Sequence, residues 1–303
     1  MPHTIDSILA HYESDSAATR ANLAKLLSHG KLGGSGKLIV LAVDQGFEHG
    51  PSRSFAVNHA AYDPHYHFQL AIDAGLSGFA APLGLLESGA KTFADKIPTI
   101  LKMNSGNSLV AGEPNQAITA CVDDAVRLGC SGIGFTIYPG SDHTYEMIEK
   151  MKDLIAEAKS KGLFVIIWSY PRGNMSSAGE TGLDVVSYGA HMACLLGAHI
   201  VKVKIPTDHL EKEVDRQALI AGKIPYKTLE DRIEYVVKSC FAGRRMVIFS
   251  GGAKKTDKEL LEEVHDVKKG GGFGSIIGRN LFQRPRQEAL SLIDEMIRIY
   301  KGK

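Results

Sequence analysis

The stretch Lys37-Leu-Ile-Val-Leu-Ala-Val-Asp44, followed by Gln45-Gly-Phe-Glu-His-Gly-Pro51, decides between two architectures. Its near-continuous apolar run, ending on an acidic residue, suits a parallel strand buried on both faces. In an open doubly wound sheet, the turn after such a strand carries a glycine-rich GxGxxG signature. Gln45–Pro51 does not have that pattern. Gly33-Gly-Ser-Gly-Lys37 looks superficially like a phosphate loop. It opens a strand rather than following one, and is read as a turn.

Seven further runs repeat the pattern: Gly78–Leu83, Thr99–Asn104, Gly132–Tyr138, Phe164–Tyr170, His199–Ile205, Arg245–Ser250 and Ser275–Gly278. Segments of helical period lie between them. Ile118, Cys121, Val122, Ala125 and Val126 form one stripe, Met147 to Ala158 a second, and Leu229 to Cys240 a third. Thr256 with Glu259, and Thr228 with Asp231, read as capping boxes; Gly129 and Gly162 fall where helices should stop. About eight strands alternating with helices predict a closed (β/α)₈ barrel, which needs roughly 250 residues. The chain has 303, so residues 37–303 are expected to form one barrel domain and residues 1–36 a helical extension, with a helix over Ser16–His29. Pro206–Ile224 reads as a polar insert, a surface excursion or lid.

The net charge of +1, with Lys and Arg interspersed among Asp and Glu, argues against a nucleic-acid partner. No apolar run reaches the ~18 residues of a membrane span. Met1–Ser14 lacks a basic region followed by an apolar one, so no signal peptide is expected. Cys121, Cys130, Cys194 and Cys240 form no CxxC pair and are read as core filler in a reducing, cytoplasmic setting.

Barrel enzymes carry their chemistry at the C-terminal ends of strands. In the sixth strand, Lys202 and Lys204 interrupt an apolar run and share a face. An amine there, its pKa lowered by burial or a neighbouring cation, is a candidate Schiff-base nucleophile; the other reading is a salt-bridged or mouth-exposed lysine. Trp168 and Tyr170 share a face of the fifth strand, as a pocket wall and a candidate proton donor, or else as core aromatics. Lys102 and Asn104 on the third strand could bind phosphate or hydroxyl groups, or Lys102 could pair with Asp44. Ser250-Gly251-Gly252 after the seventh strand and Gly278-Arg279 after the eighth match the place where barrels bind phosphate. His65 and His67 form an HxH, and His49 follows Glu48, but no further ligand falls at a matching strand end. No metal and no cofactor are expected.

Taken together and in order, VDQGFEHGP (43–51), TIYPGS (136–141), WSYPRG (168–173), IVKVK (200–204), SGG (250–252) and IGRN (277–280) resemble the archaeal-type class I fructose-bisphosphate aldolases, from about Leu38 onward. The resemblance implies Lys202 as the Schiff-base lysine, Asp44 as the active-site aspartate, Trp168 as a pocket residue and Tyr170 as the catalytic tyrosine. It also implies Ser250, Gly251, Gly252, Gly278 and Arg279 as phosphate-binding, with His49 and Arg172 near the site. A phosphorylated ketose substrate and a homo-oligomer, often a decamer of stacked pentamers, are further implications. Members of such barrels act on other ketoses, so the alternatives are another lysine-dependent enzyme on a phosphorylated ketose or a non-catalytic sugar-phosphate-binding protein. In the proposed roles, Lys204 is the second choice of nucleophile, or the cation that depresses the pKa of Lys202.

Overall fold

The computed structural model describes residues 4–250 and 255–302. Eight parallel strands close into a barrel: β1 Leu38–Ala42, β2 Gly78–Pro82, β3 Thr99–Lys102, β4 Gly132–Ile137, β5 Phe164–Ser169, β6 Ile200–Lys204, β7 Met246–Ser250 and β8 Gly274–Ile277. Closure runs through β8 pairing with β1, Leu38 opposite Gly274. All eight expected strands are present, shifted at their ends by one or two residues.

The period of two sorts each strand between two cores. Leu38, Val40, Ile100, Ile166, Trp168, Ile200, Ile248 and Ile276 fill the barrel interior. Ile39, Leu41, Leu101, Ile133, Val165, Val201, Val247 and Ile277 face the surrounding helices. This double burial is why the strands read as continuous apolar runs. It also places Asp44, Lys102, Trp168, Tyr170, Lys202, Lys204, Ser250 and Gly278 on inward parity, toward the strands' C-terminal ends.

Two helices precede the barrel: Ile5–Leu9, and Ala17–Ser28 with Ser16 as its N-cap. Ile8, Tyr12, Leu23, Leu26 and Leu27 join the interior cluster and cover the barrel floor. The Tyr12 hydroxyl donates to the His199 carbonyl at 2.7 Å. Buried His199 meets Asp15 through Nε2 at 3.1 Å, and its Nδ1 accepts the Val165 N–H at 2.9 Å. The turn before β1 is a turn, with Gly34 and Gly36 at φ of 82° and 71°. The capping boxes at Thr228–Asp231 and Thr256–Glu259 are formed, and Gly129 and Gly162 take positive φ where helices end.

Two expectations are corrected between β3 and β4. Ile118 is not helical. Ala117–Ile118 pairs antiparallel with Asn104–Ser105, and the Thr119 N–H is bonded to the Met103 carbonyl at 2.8 Å. The helix begins only at Val122, after Cys121, whose N–H donates to Asp124. Cys121 is therefore exposed rather than core filler, whereas Cys130, Cys194 and Cys240 are buried. The 206–224 insert is anchored. Thr207 bridges to Gly182, Leu210 and Leu219 are buried, and the Lys212 N–H that begins helix Glu213–Ala221 donates to Asp184 at 2.7 Å.

Candidate active site

Asp44 stands two residues beyond the end of β1 and directly precedes the short helix Gln45–His49. One helical turn sets Glu48 on the same side as Asp44. Gly278 directly follows β8, and a Cβ there would lie 2.8 Å from both the Ala42 carbonyl and Gln45 Nε2. Only glycine lets the eighth strand's end approach the first this closely. Arg279 follows at the start of the next helix. Asp44, His49, Tyr170, Arg172, Lys202, Lys204, Ser250, Gly278 and Arg279 all border one pocket of about 140 Å³ at the barrel mouth, open to solvent. None of residues 206–224 borders it. Gly251 and Gly252 lie outside the described residues.

Lys202 is at the pocket's base and only 6% exposed. Its Nζ stands 4.7 Å from the Tyr170 ring centre and 5.7 Å from that of Trp168. Burial pushes its pKa down to about 8; Asp44 and Glu48 oppose the shift, and Arg279 adds to it. At that value about a tenth of the amine is neutral at pH 7, against a few in ten thousand for a free lysine. The expected part for Lys204 is corrected here. Lys204 is engaged by Glu180 at 3.2 Å, and Arg279 rather than Lys204 is the cation whose charge adds to the effect of burial on Lys202.

Tyr170 is driven to a pKa above the ordinary phenol value by burial, with its contact to Ser250 opposing. Its hydroxyl lies 3.5 Å from Ser250 Oγ, which donates to the Val203 carbonyl at 3.3 Å. Trp168 lies beneath the pocket. Its ring occupies the space over Gly134, where a Cβ would be 1.8 Å from the indole. β4 has no side chain there so that the indole of β5 can cross it.

Lys102 does not border the main pocket. It lies in an adjoining recess with Asp44, Glu48, Thr136, Tyr138 and Tyr170. Its Nζ donates to the carbonyl and to Oδ1 of Asn104, and the Asn104 amide is itself clamped between the N–H and carbonyl of Thr136. The expected pairing with Asp44 is thus supplanted by Asn104, although Asp44 still acts on Lys102 electrostatically.

Glu48 was not anticipated. It stands 3.9 Å from Arg172 and 3.7 Å from His49, and contributes to the field at Lys202. Its spacing of four from Asp44 within a helix was the available signal. Tyr138 also joins the site: Arg172 lies 5.4 Å over its ring, and burial pushes its hydroxyl up to about 12. The two histidines of the HxH diverge, His65 bonding the Ser88 carbonyl and His67 the Ala61 carbonyl. No cluster of three or more potential metal ligands occurs among the described residues, nor is any helix there long and apolar enough to cross a membrane.

A depressed buried amine, a protonated phenol beside it and an arginine at the glycine turn after β8 make a centre suited to imine chemistry on an anionic carbonyl compound. Residues 38–284 match the DeoC/LacD family of aldolases. The chain is 36% identical to the class 1 fructose-bisphosphate aldolase of Thermoproteus tenax over 88% of its own length and 91% of the relative's. It is 30% identical to a Methanocaldococcus jannaschii protein named fructose-bisphosphate aldolase/6-deoxy-5-ketofructose 1-phosphate synthase, covering 88% of this chain and 87% of that one. Among solved structures, an archaeal fructose-1,6-bisphosphate aldolase with its catalytic lysine bound to the carbinolamine intermediate superposes with a TM-score of 0.74. The identity is 31%, with 97% of this chain and all of that one covered. Fold, site and relatives converge, and the chain belongs to the DeoC/LacD aldolases, among the class I fructose-bisphosphate aldolases.

Proposed function

We propose that Lys202 is the nucleophile with which this class I aldolase reversibly cleaves fructose bisphosphate to dihydroxyacetone phosphate and glyceraldehyde 3-phosphate. The observation that carries the assignment is the position of the Lys202 amine, buried at the pocket base, depressed to about 8 and against the Tyr170 ring. The neutral amine adds to the substrate ketone. Loss of water from the carbinolamine leaves an iminium, whose positive nitrogen draws in the electron pair released when the C3–C4 bond breaks. Tyr170, held protonated by its burial, relays the proton: as its oxygen accepts the C4 hydroxyl proton it gives its own to the enamine carbon C3, and the exchange runs backwards in condensation. Asp44 orients hydroxyls and assists the proton shifts of imine formation.

Arg279 and the backbone at Gly278, with Ser250, Gly251 and Gly252, anchor one phosphate and so fix the ketone beside the amine. His49 and Arg172, which border the same pocket, contact the rest of the substrate, and Trp168 walls its base. The reaction calls for no cofactor. A cytoplasmic setting fits the four unpaired cysteines, and a pentamer-based homo-oligomer is the assembly that the family resemblance suggests. Related chemistry on another phosphorylated ketose is the second reading, favoured by the double name of the Methanocaldococcus jannaschii relative.

Borohydride reduction in the presence of dihydroxyacetone phosphate tests the assignment. Irreversible mass addition is expected on the peptide bearing Lys202. Addition to Lys204 alone, or none at all, overturns it. Turnover of a panel of phosphorylated ketoses separates the two substrate readings.

A further inference from the structure

The barrel interior holds a second buried amine that the mechanism above does not use. Lys102 on β3 and Lys202 on β6 approach the same indole, their Nζ atoms 5.8 and 5.7 Å from the Trp168 ring centre. The approach is possible because Gly134 leaves β4 bare and lets the ring reach across it. The two residues are 3% and 6% exposed. Burial pushes both amines down to about 8, so burial does not choose which of them gives up its proton first.

Hydrogen bonding does choose. Lys102 Nζ donates to two oxygens of Asn104, one of the main chain and one of the side chain. The Asn104 amide cannot turn away, because Thr136 holds both ends of it. Lys202 Nζ makes no hydrogen bond among the described residues; it lies against the faces of Trp168 and Tyr170 and borders the pocket. A buried ammonium is tolerated where its protons have acceptors and is costly where they do not. The charge of Lys202 lowers the pKa of Lys102, and repulsion between two cations is mutual.

We propose that Lys102 is a positioning residue: clamped by Asn104, it retains its charge and thereby makes Lys202, across Trp168, the amine that is neutral and nucleophilic. The proposal rests on Lys202 being the nucleophile. The other groups acting on Lys202 are Asp44 and Glu48, which favour its ammonium, and Arg279, which disfavours it. Tyr170 is a neutral phenol at working pH, and Lys204 is occupied by Glu180. With two carboxylates pulling toward the charged form, one arginine is opposed, and a second cation tips the balance.

The test is the pH dependence of borohydride trapping with dihydroxyacetone phosphate in the full-length enzyme, with the adduct mapped by peptide mass. Lys102→Gln keeps N–H donors for Asn104 but removes the charge; Lys102→Arg keeps the charge. The expected result is that the trapping midpoint of Lys102→Gln moves up by about one pH unit, so that trapping near pH 7 falls about tenfold, while Lys102→Arg stays near the wild type. A Lys102→Gln profile superimposable on the wild type, with the adduct on Lys202, overturns the proposal and leaves the nucleophile in place. Equal shifts in the Gln and Arg variants overturn it too, because charge is then not the operative property. A wild-type adduct on Lys102 reverses the two amines and removes the assignment of Lys202 as well. Lys102→Met, if it folds, is expected to follow Lys102→Gln, and a wild-type midpoint there counts against the proposal.

Discussion

The amine of Lys202 rests 4.7 Å from the centre of the Tyr170 ring, with the phenol's hydroxyl turned toward Ser250. The ring thus shapes the amine's surroundings while the hydroxyl is left to move protons. These two functions separate in Tyr170→Phe, which keeps the ring. Cleavage of fructose bisphosphate is expected to slow by about 10²–10⁴-fold, the usual worth of a positioned acid–base group. Imine formation, read as borohydride trapping with dihydroxyacetone phosphate, should persist. Loss of both in proportion would show that the hydroxyl is needed before the bond breaks.

Arg279 is the charged group at the turn after β8, and no other arginine follows that strand before the next helix turn. Arg279→Met removes a charge-assisted contact of about 1.5–3 kcal/mol. The Michaelis constant for fructose bisphosphate is expected to rise about 10- to 100-fold, with a smaller change in the turnover number. Inhibition by inorganic phosphate should weaken in parallel. Unchanged inhibition by phosphate would place the anion elsewhere.

Gly134→Ala sets a methyl where the Trp168 ring now lies, 1.8 Å from its nearest atom. Neither strand can yield without disturbing a paired register, Thr136 opposite Trp168 and Trp168 opposite Lys202. The expected cost is about 1–3 kcal/mol from overpacking, measurable as a lower urea midpoint. The displaced indole should also reduce trapping at Lys202. A variant that keeps both stability and trapping would mean that the indole has room to move.

Stability should decline on acidification between about pH 6.5 and 4. His67 is buried, and burial pushes its pKa from 6.5 to about 4, with its bond to the Ala61 carbonyl opposing. The unfolded chain therefore binds a proton that the folded one refuses, and its contribution is complete above the unfolded value and lost as pH falls through the folded one. The full effect is on the order of 3 kcal/mol. His199, also lowered by burial, acts in the same direction. Urea midpoints measured across this range should fall, and less steeply in His67→Gln. Equal slopes would remove His67 from the account.

Much of this molecule was legible before any coordinates because burial on both faces of a barrel strand leaves a simple mark. In β6, apolar residues fill every position but 202 and 204, so the buried amine at the pocket base stood out. Glu48 was harder to find because it sits in a short polar helix, where an acidic residue draws no attention. Its relevance depends on Arg172 and His49 arriving from different parts of the chain or from the next residue. The true partner of Lys204 could not be anticipated either, since Glu180 comes from a single 3-10 turn, Gly179–Thr181, too short for any periodicity to reveal. Ile118 misled because its spacing to Val122 suits a helix, whereas a tertiary hydrogen bond from Thr119 to Met103 holds the segment extended. The apparent helical stripe was a local preference overruled by a long-range contact.

The barrel floor has a bearing on experimental handling. Tyr12 grips the carbonyl of His199, and Asp15 grips its imidazole. Three residues further along the same strand, roughly 10 Å away, is Lys202. The leading segment is thereby tied to the residue from which the Lys202 strand sets out, so the floor and the mouth of the barrel share one strand. A protease cut between Asp15 and Ser16, or a bulky fusion that pries the first helix loose, is expected to release His199 and loosen the foot of β6 as well as the terminus.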